Sequence, residues 1–133
     1  MRAVADTHAL VWYLKGSQKL SDAAATTLTE AQATEGLVVP AAVLFDLWYV
    51  TQTTRAFGAS EVADIKSTVA QPDNGVELAP IDLPVFNAWE SIDRSTLTDP
   101  WDRLIVATAI SMGLMLVTRD EPIKESGLVP TIW

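Results

Sequence analysis

A chain of 133 residues, 49% hydrophobic and 20% charged, is sized for one core and holds too much apolar material to stay disordered. With no Cys and a single His, disulfide frameworks, thiolate metal sites, cysteine nucleophiles and paired imidazoles are excluded. Seventeen acidic residues against nine Lys and Arg give a formal charge of -8, unusual for a protein that merely coats nucleic acid, so the acids themselves need a role.

Arg2 to Ala5 is a short apolar run that stops at Asp6. Beyond it Ala9, Leu10, Trp12, Tyr13 and Leu14 recur at near-helical spacing up to Gly16, which predicts a strand and then a helix. Ser21 can cap an alanine-rich helix reaching Ala33, Gly36 breaks it, and Leu37 to Val39 read as a buried strand. Pro40 opens a segment in which Val43, Leu44, Leu47, Trp48 and Val50 form a broad helical stripe, with Asp46 inside it. Ala59 to Val69 reads as an exposed helix, and Pro72, Asp73, Asn74 and Gly75 form a turn into a strand at Val76 to Ala79. A helix over Leu83 to Ile92 starts at Asp82. Asp99 with Pro100 starts another, which runs to Gly113. Leu114 to Val117 is strand-like, the stretch around Lys124 reads as loop, and Val129 to Ile132 adds a last strand. The uncharged run from Leu104 to Val117 is too short to span a bilayer, and Asp6 interrupts any N-terminal signal, so no membrane and a cytoplasmic location are expected. Strands alternate with helices without hairpin signals, repeats or linkers. This pattern predicts one α/β domain over residues 1–133, with a mainly parallel central sheet covered by helices on both faces.

In such a sheet the carboxyl ends of the strands share one edge with the starts of the helices that descend from it. Asp6 ends the first strand, Asp120 follows the strand ending at Val117, and Asp46 lies in an early turn after the second strand. Asp99 and Asp102 occupy the first turn of a descending helix, so connectivity alone brings five acids to one edge. Crowded carboxylates repel and share protons unless a cation neutralises them. Oxygen donors without thiolates favour Mg²⁺ or Mn²⁺, whose usual partner in an enzyme is a phosphate group, so phosphodiester chemistry leads.

The motifs carrying these acids are Val4-Ala5-Asp6-Thr7-His8-Ala9-Leu10-Val11-Trp12, Val43-Leu44-Phe45-Asp46-Leu47-Trp48, Asp99-Pro100-Trp101-Asp102-Arg103-Leu104-Ile105-Val106-Ala107 and Leu116-Val117-Thr118-Arg119-Asp120. In order and spacing, over nearly the whole chain, they resemble the PIN domain, specifically VapC-type ribonuclease toxins. The resemblance implies a three-layer α/β/α sandwich, Mg²⁺- or Mn²⁺-dependent cleavage of RNA, a homodimer, and inhibition by a small VapB-type antitoxin. It also implies a catalytic and metal-holding set of Asp6, Asp46, Asp102 and Asp120. Asp46 stands where the family usually has Glu, one methylene longer. Thr7 and Thr118 match small hydroxyl residues that order the site around those acids, and Asp99 is placed with them.

Simpler readings stand beside these. Asp99, Pro100 and Asp102 fit a helix cap with favourable dipole placement, Asp6 could cap its helix, and Asp120 could be a turn acid. His8 reads as structural, and the five Trp residues as core or dimer contacts rather than base-stacking platforms. The charge of -8 opposes RNA, so Arg55, Arg94, Arg103, Arg119, Lys15 or Lys19 would have to form a basic rim. Two other functional classes remain open at this stage, a catalytically degenerate PIN scaffold that only binds a partner and a phosphoacceptor receiver domain.

Overall fold

The computed structural model describes residues 1–133. β1 (Arg2–Ala5) has Ala3, Val4 and Ala5 fully out of solvent, as expected of a strand paired on both sides. α1 (Thr7–Lys15) starts at the Asp6 cap and ends on Gly16 in the left-handed region, and α2 (Asp22–Ala33) starts at the Ser21 side chain. β2 (Gly36–Pro40) is buried throughout and leads directly into α3 (Ala41–Thr53), so Pro40 closes the strand instead of opening the helix. After α4 (Ala59–Ala70) come β3 (Val76–Ala79), α5 (Leu83–Ser91) and α6 (Pro100–Met112). β4 (Leu116–Val117), α7 (Glu121–Ser126) and β5 (Thr131–Ile132) complete the chain.

The five strands form one parallel sheet in the order β3-β2-β1-β4-β5. Val4 registers with Val38 on one side and Leu116 on the other, and Ala5 registers with Val117. The chain builds outward from β1 to β3, then crosses back to place β4 on the opposite side of β1. The carboxyl ends of β1 and β4 therefore flank the topological switch point, where open α/β sheets leave a crevice. α2 packs on the sheet, α3 packs on α6, and α6 packs on α5.

Three sequence expectations need correction, the first being the last strand, which covers only Thr131–Ile132 and not Val129 to Ile132 because only two residues pair with β4. The stretch around Lys124 is the helix α7, capped by the Asp120 side chain; it contains one buried apolar residue, Ile123, so no periodicity reveals it. Leu114 and Met115 precede the strand because the Leu114 N–H still bonds back to Ala109 O at 3.0 Å, closing the end of α6 around Gly113. Arg103 fixes the connection that carries the chain back up to α6. Its guanidinium donates to the carbonyls of Trp89, Ile92, Asp93 and Leu97 at 3.0–3.3 Å and lies 4.9 Å from the Trp89 ring centroid. This interior role removes it from any basic rim.

The turn before β3 is tight. Gly75 has φ +78°, its carbonyl accepts from Leu37 N–H at 2.8 Å, and a Cβ there would lie 2.0 Å from Gln32 O. Gly113 has a similar φ, +66°, but open space where its Cβ would be. Gly75→Ala is therefore expected to cost roughly 3 kcal/mol or more, and Gly113→Ala about 1 kcal/mol from backbone conformation alone. Urea midpoints of the two variants check this order; equal midpoints would show that the Gln32 backbone yields freely.

Candidate functional site

The site begins with two threonines at the switch point. Asp6, buried at the end of β1, accepts from the Thr7 N–H through Oδ1 at 2.7 Å and from the Thr118 hydroxyl through Oδ2 at 2.6 Å. Thr7, the first residue of α1, donates its hydroxyl to Asp46 Oδ2 on α3 at 2.6 Å. Thr118 Oγ1 accepts from the Asp120 N–H at 3.1 Å, and Asp120 Oδ2 accepts from Ile123 N–H at 3.0 Å as the cap of α7. On α6, Asp99 Oδ1 accepts from the N–H groups of Trp101 and Asp102, both at 2.9 Å. The Asp102 carboxylate has no hydrogen-bond partner within the chain.

Asp6, Asp46, Asp99, Asp102 and Asp120 line one cleft of about 450 Å³, as the sheet-edge argument expects. The cap reading of Asp99 is also correct, Asp120 caps α7 instead of serving as a turn acid, and both residues still border the cleft, each cap using only one oxygen. The cleft wall contains further residues that the sequence pattern gives no reason to place there. Trp133 comes from the last strand's end, and Glu121 from the helix that shows no periodicity. His8 also borders it, packed edge-on to Trp12 with ring centroids 5.4 Å apart and against Phe57 at 5.3 Å. Of the basic residues considered for a rim, only Arg119 lines the cleft; Lys15 is paired with Glu61 at 2.7 Å.

Crowding and burial shift the proton equilibria of these acids. Burial pushes Asp6 up to about 6 against the pull of its hydrogen bonds from Thr118 and Thr7, and the charges of Asp46 and Asp120 add to the rise. Burial, then the charges of Asp99, Asp6, Asp120 and Asp46, pushes Asp102 up to about 8, with no hydrogen bond to oppose it. Asp46 is raised as well, chiefly by burial, although the Thr7 hydroxyl works the other way. Burial lowers His8, which favours the neutral imidazole.

Whether these residues suit a divalent cation is a question of donor chemistry. The carboxylates are hard oxygen donors, and Arg119 is the one cationic side chain lining the cleft, so negative charge is left uncompensated. No three of the groups form a ready coordination shell. An open cup of this kind fits Mg²⁺ or Mn²⁺, which bind through one or two carboxylates and keep much of their water. The donor set therefore fits such an ion.

Comparison with known proteins adds an independent line. Residues 3–127 match the family model described as PIN domain. The chain is 31% identical over 119 residues to ribonuclease VapC22 of Mycobacterium tuberculosis, covering 90% of this chain and 87% of that protein. Among solved structures, VapBC2 from Rickettsia felis, bound to a DNA fragment from its promoter, superposes with a TM-score of 0.71 at 14% identity, covering 99% of this chain and 98% of that one. VapC20 from M. tuberculosis, described as a sarcin-ricin loop cleaving toxin, gives 0.64 at 15% identity, with 96% of each chain covered.

The raised acids make a prediction about stability. With excess EDTA, folded Asp6 and Asp102 still hold protons at pH values where the unfolded chain has released them. Stability should therefore fall as pH rises from about 4 through about 8. Asp102→Asn should flatten the upper part of this decline, measured as Tm against pH, and an Asp102→Asn profile that still tracks the parent chain would refute it.

Proposed function

The chain belongs to the PIN-domain family, and on that premise we propose that it is a VapC-type endoribonuclease, one PIN domain over residues 1–133, acting as the toxin of a type II toxin–antitoxin pair in the cytoplasm. The observation that carries this reading is the meeting, in one cleft, of six carboxylates from four separate segments with a single cation beside them. Asp6, Asp46, Asp102 and Asp120 would hold Mg²⁺ or Mn²⁺. When bound, such an ion supplies acidification of water and charge neutralisation at the scissile phosphate.

The chain's own residues prepare that site. Thr7 and Thr118 hold Asp6 by both oxygens and so fix its carboxylate in the cleft wall. The Thr7 hydroxyl also fixes Asp46, so the shorter acid at this position is anchored instead of swinging free. Asp102, with no internal partner, is the carboxylate most available to a ligand. The raised affinity of Asp6 and Asp102 for protons means that cation binding releases protons.

The partners are an RNA substrate, a VapB-type antitoxin and a second copy of the chain. Support for protein partners comes from large apolar side chains left in solvent: Phe45, Trp48 and Tyr49 on α3, and Leu83 and Phe86 on α5. Phe45 stacks on Trp101 with centroids 5.7 Å apart, which joins the α3 patch to α6. No helix is long and apolar enough to cross a membrane. The receiver-domain alternative loses its required lysine, because Lys124 lies on α7 and pairs with Glu121 at 3.4 Å.

Cleavage of an unstructured RNA by the purified chain should require Mg²⁺ or Mn²⁺ and stop in EDTA. Asp6→Asn and Asp102→Asn should each lower the rate by about 100-fold or more, as loss of a group that sets the reacting geometry does. A wild-type chain that leaves RNA intact with either ion would favour the binding-scaffold alternative.

A further inference from the structure

We propose that Arg119 is the phosphate-binding residue of the cleft, gripping a backbone phosphodiester of the RNA strand beside the one that is cut. The proposal rests on the nuclease reading above and deepens it by naming how an acidic protein holds a polyanion.

A guanidinium among six carboxylates would be expected to collapse onto one of them. Arg119 does not. The ion pairs of the chain are the N-terminal amine of Met1 with Glu35, Arg2 with Glu77, Lys15 with Glu61 and Lys124 with Glu121, and none involves Arg119. Its guanidinium is held instead over the face of Trp12, 4.5 Å from the ring centroid. Trp12 cannot easily move: it is 5% exposed, edge-on to His8, and packed against Trp133 at 5.9 Å. The backbone on both sides of Arg119 is pinned too. Thr118 N–H donates to Ile132 O at 3.1 Å, and Asp120 N–H donates to Thr118 Oγ1 at 3.1 Å.

The side chain is therefore exposed, fixed in place and left with its N–H groups unspent. A planar guanidinium on an aromatic face keeps its fork of donors for bidentate contact with phosphate oxygens, a geometry that lysine lacks. The other cations are spent or elsewhere. Arg103 is bonded to four carbonyls, Lys15 to Glu61, and the remaining basic residues do not line the cleft. A phosphodiester entering a cup of negative charge thus meets one organic cation, Arg119, on a wall it shares with Trp133.

The test is RNA binding as a function of salt, with a short unstructured oligoribonucleotide and the Asp6→Asn chain, which keeps the strand uncut. Adding Arg119→Gln should raise Kd about 10-fold and reduce the slope of log K against log salt by about 0.7, one phosphate contact on a single strand. Arg119→Lys should keep the slope while weakening binding less. Lys66→Gln, on the exposed face of α4, should change neither. In the otherwise wild-type chain with Mn²⁺, Arg119→Gln should raise KM more than it lowers kcat. An unchanged salt slope and Kd in Arg119→Gln, or no RNA binding by the Asp6→Asn chain, overturns the proposal. Wild-type cleavage with Arg119→Gln indistinguishable from it leaves the nuclease reading standing and removes Arg119 alone. Binding through Arg119 by a wild-type chain that cuts nothing supports the phosphate contact and removes the nuclease reading.

Discussion

The hydrogen bond from Thr118 to Asp6 spans 112 residues of sequence and joins the ends of the two strands that flank the switch point. Everything in the cleft depends on that junction. Val4 and Ala5 pair with Leu116 and Val117, and the pairing delivers the Thr118 hydroxyl to the buried carboxylate one residue past β1. The same threonine takes the Asp120 N–H, so the last acid is positioned through the first. Thr7 does the equivalent on the other side, with its N–H to Asp6 and its hydroxyl to Asp46. Two small hydroxyl side chains thereby connect three separate stretches of chain.

Magnitudes show what the junction holds back. Raising Asp6 from 3.8 to about 6 corresponds to roughly 3 kcal/mol against its charged form, and this is what remains after two hydrogen bonds of the charge-assisted kind have acted in its favour. Desolvation therefore outweighs the hydroxyl and amide partners. Asp102 rises further, although it is less buried than Asp6, because burial and then four neighbouring anions push it up with no hydrogen bond to oppose them. A fold that spends stability on like charges in one place is concentrating electrostatic energy where function needs it. The capping acids reduce the expense: Asp99 and Asp120 each stabilise a helix start with one oxygen while the carboxylate still borders the cleft.

Much of this was legible in the sequence, for physical reasons that can be named. Parallel strands buried on both faces read as uninterrupted apolar runs, and Arg2 to Ala5 and Leu37 to Val39 have that form. Helix starts were marked by Ser21, Asp82 and the Asp99-Pro100 pair, whose side chains cap the helices as expected. Strand direction then sufficed to bring the acids to one edge. Less legible was whatever depends on contacts between distant segments. α7 has a single inward residue and therefore no period, and Leu114 stays in the turn that ends α6. Trp133 enters the cleft wall because β5 pairs with β4, a fact no local pattern contains. The separation of Arg103 from Arg119 was equally hidden: each sits next to an acid in its motif, yet one faces inward to carbonyls and the other outward over an indole.

The span between Thr118 and Asp6 also has a temporal side. Synthesis runs from the amino terminus, so Asp6 leaves the ribosome long before its hydroxyl partner exists, and the β1–β4 pairing waits until residues 116–118 have been made. A nascent or prematurely terminated product lacking residues 116–120 has neither the strand that closes the crevice nor the acid that follows it. Until that stretch is made, Asp6 lacks its hydroxyl donor and the cleft lacks Asp120, so a shortened product carries an unfinished site.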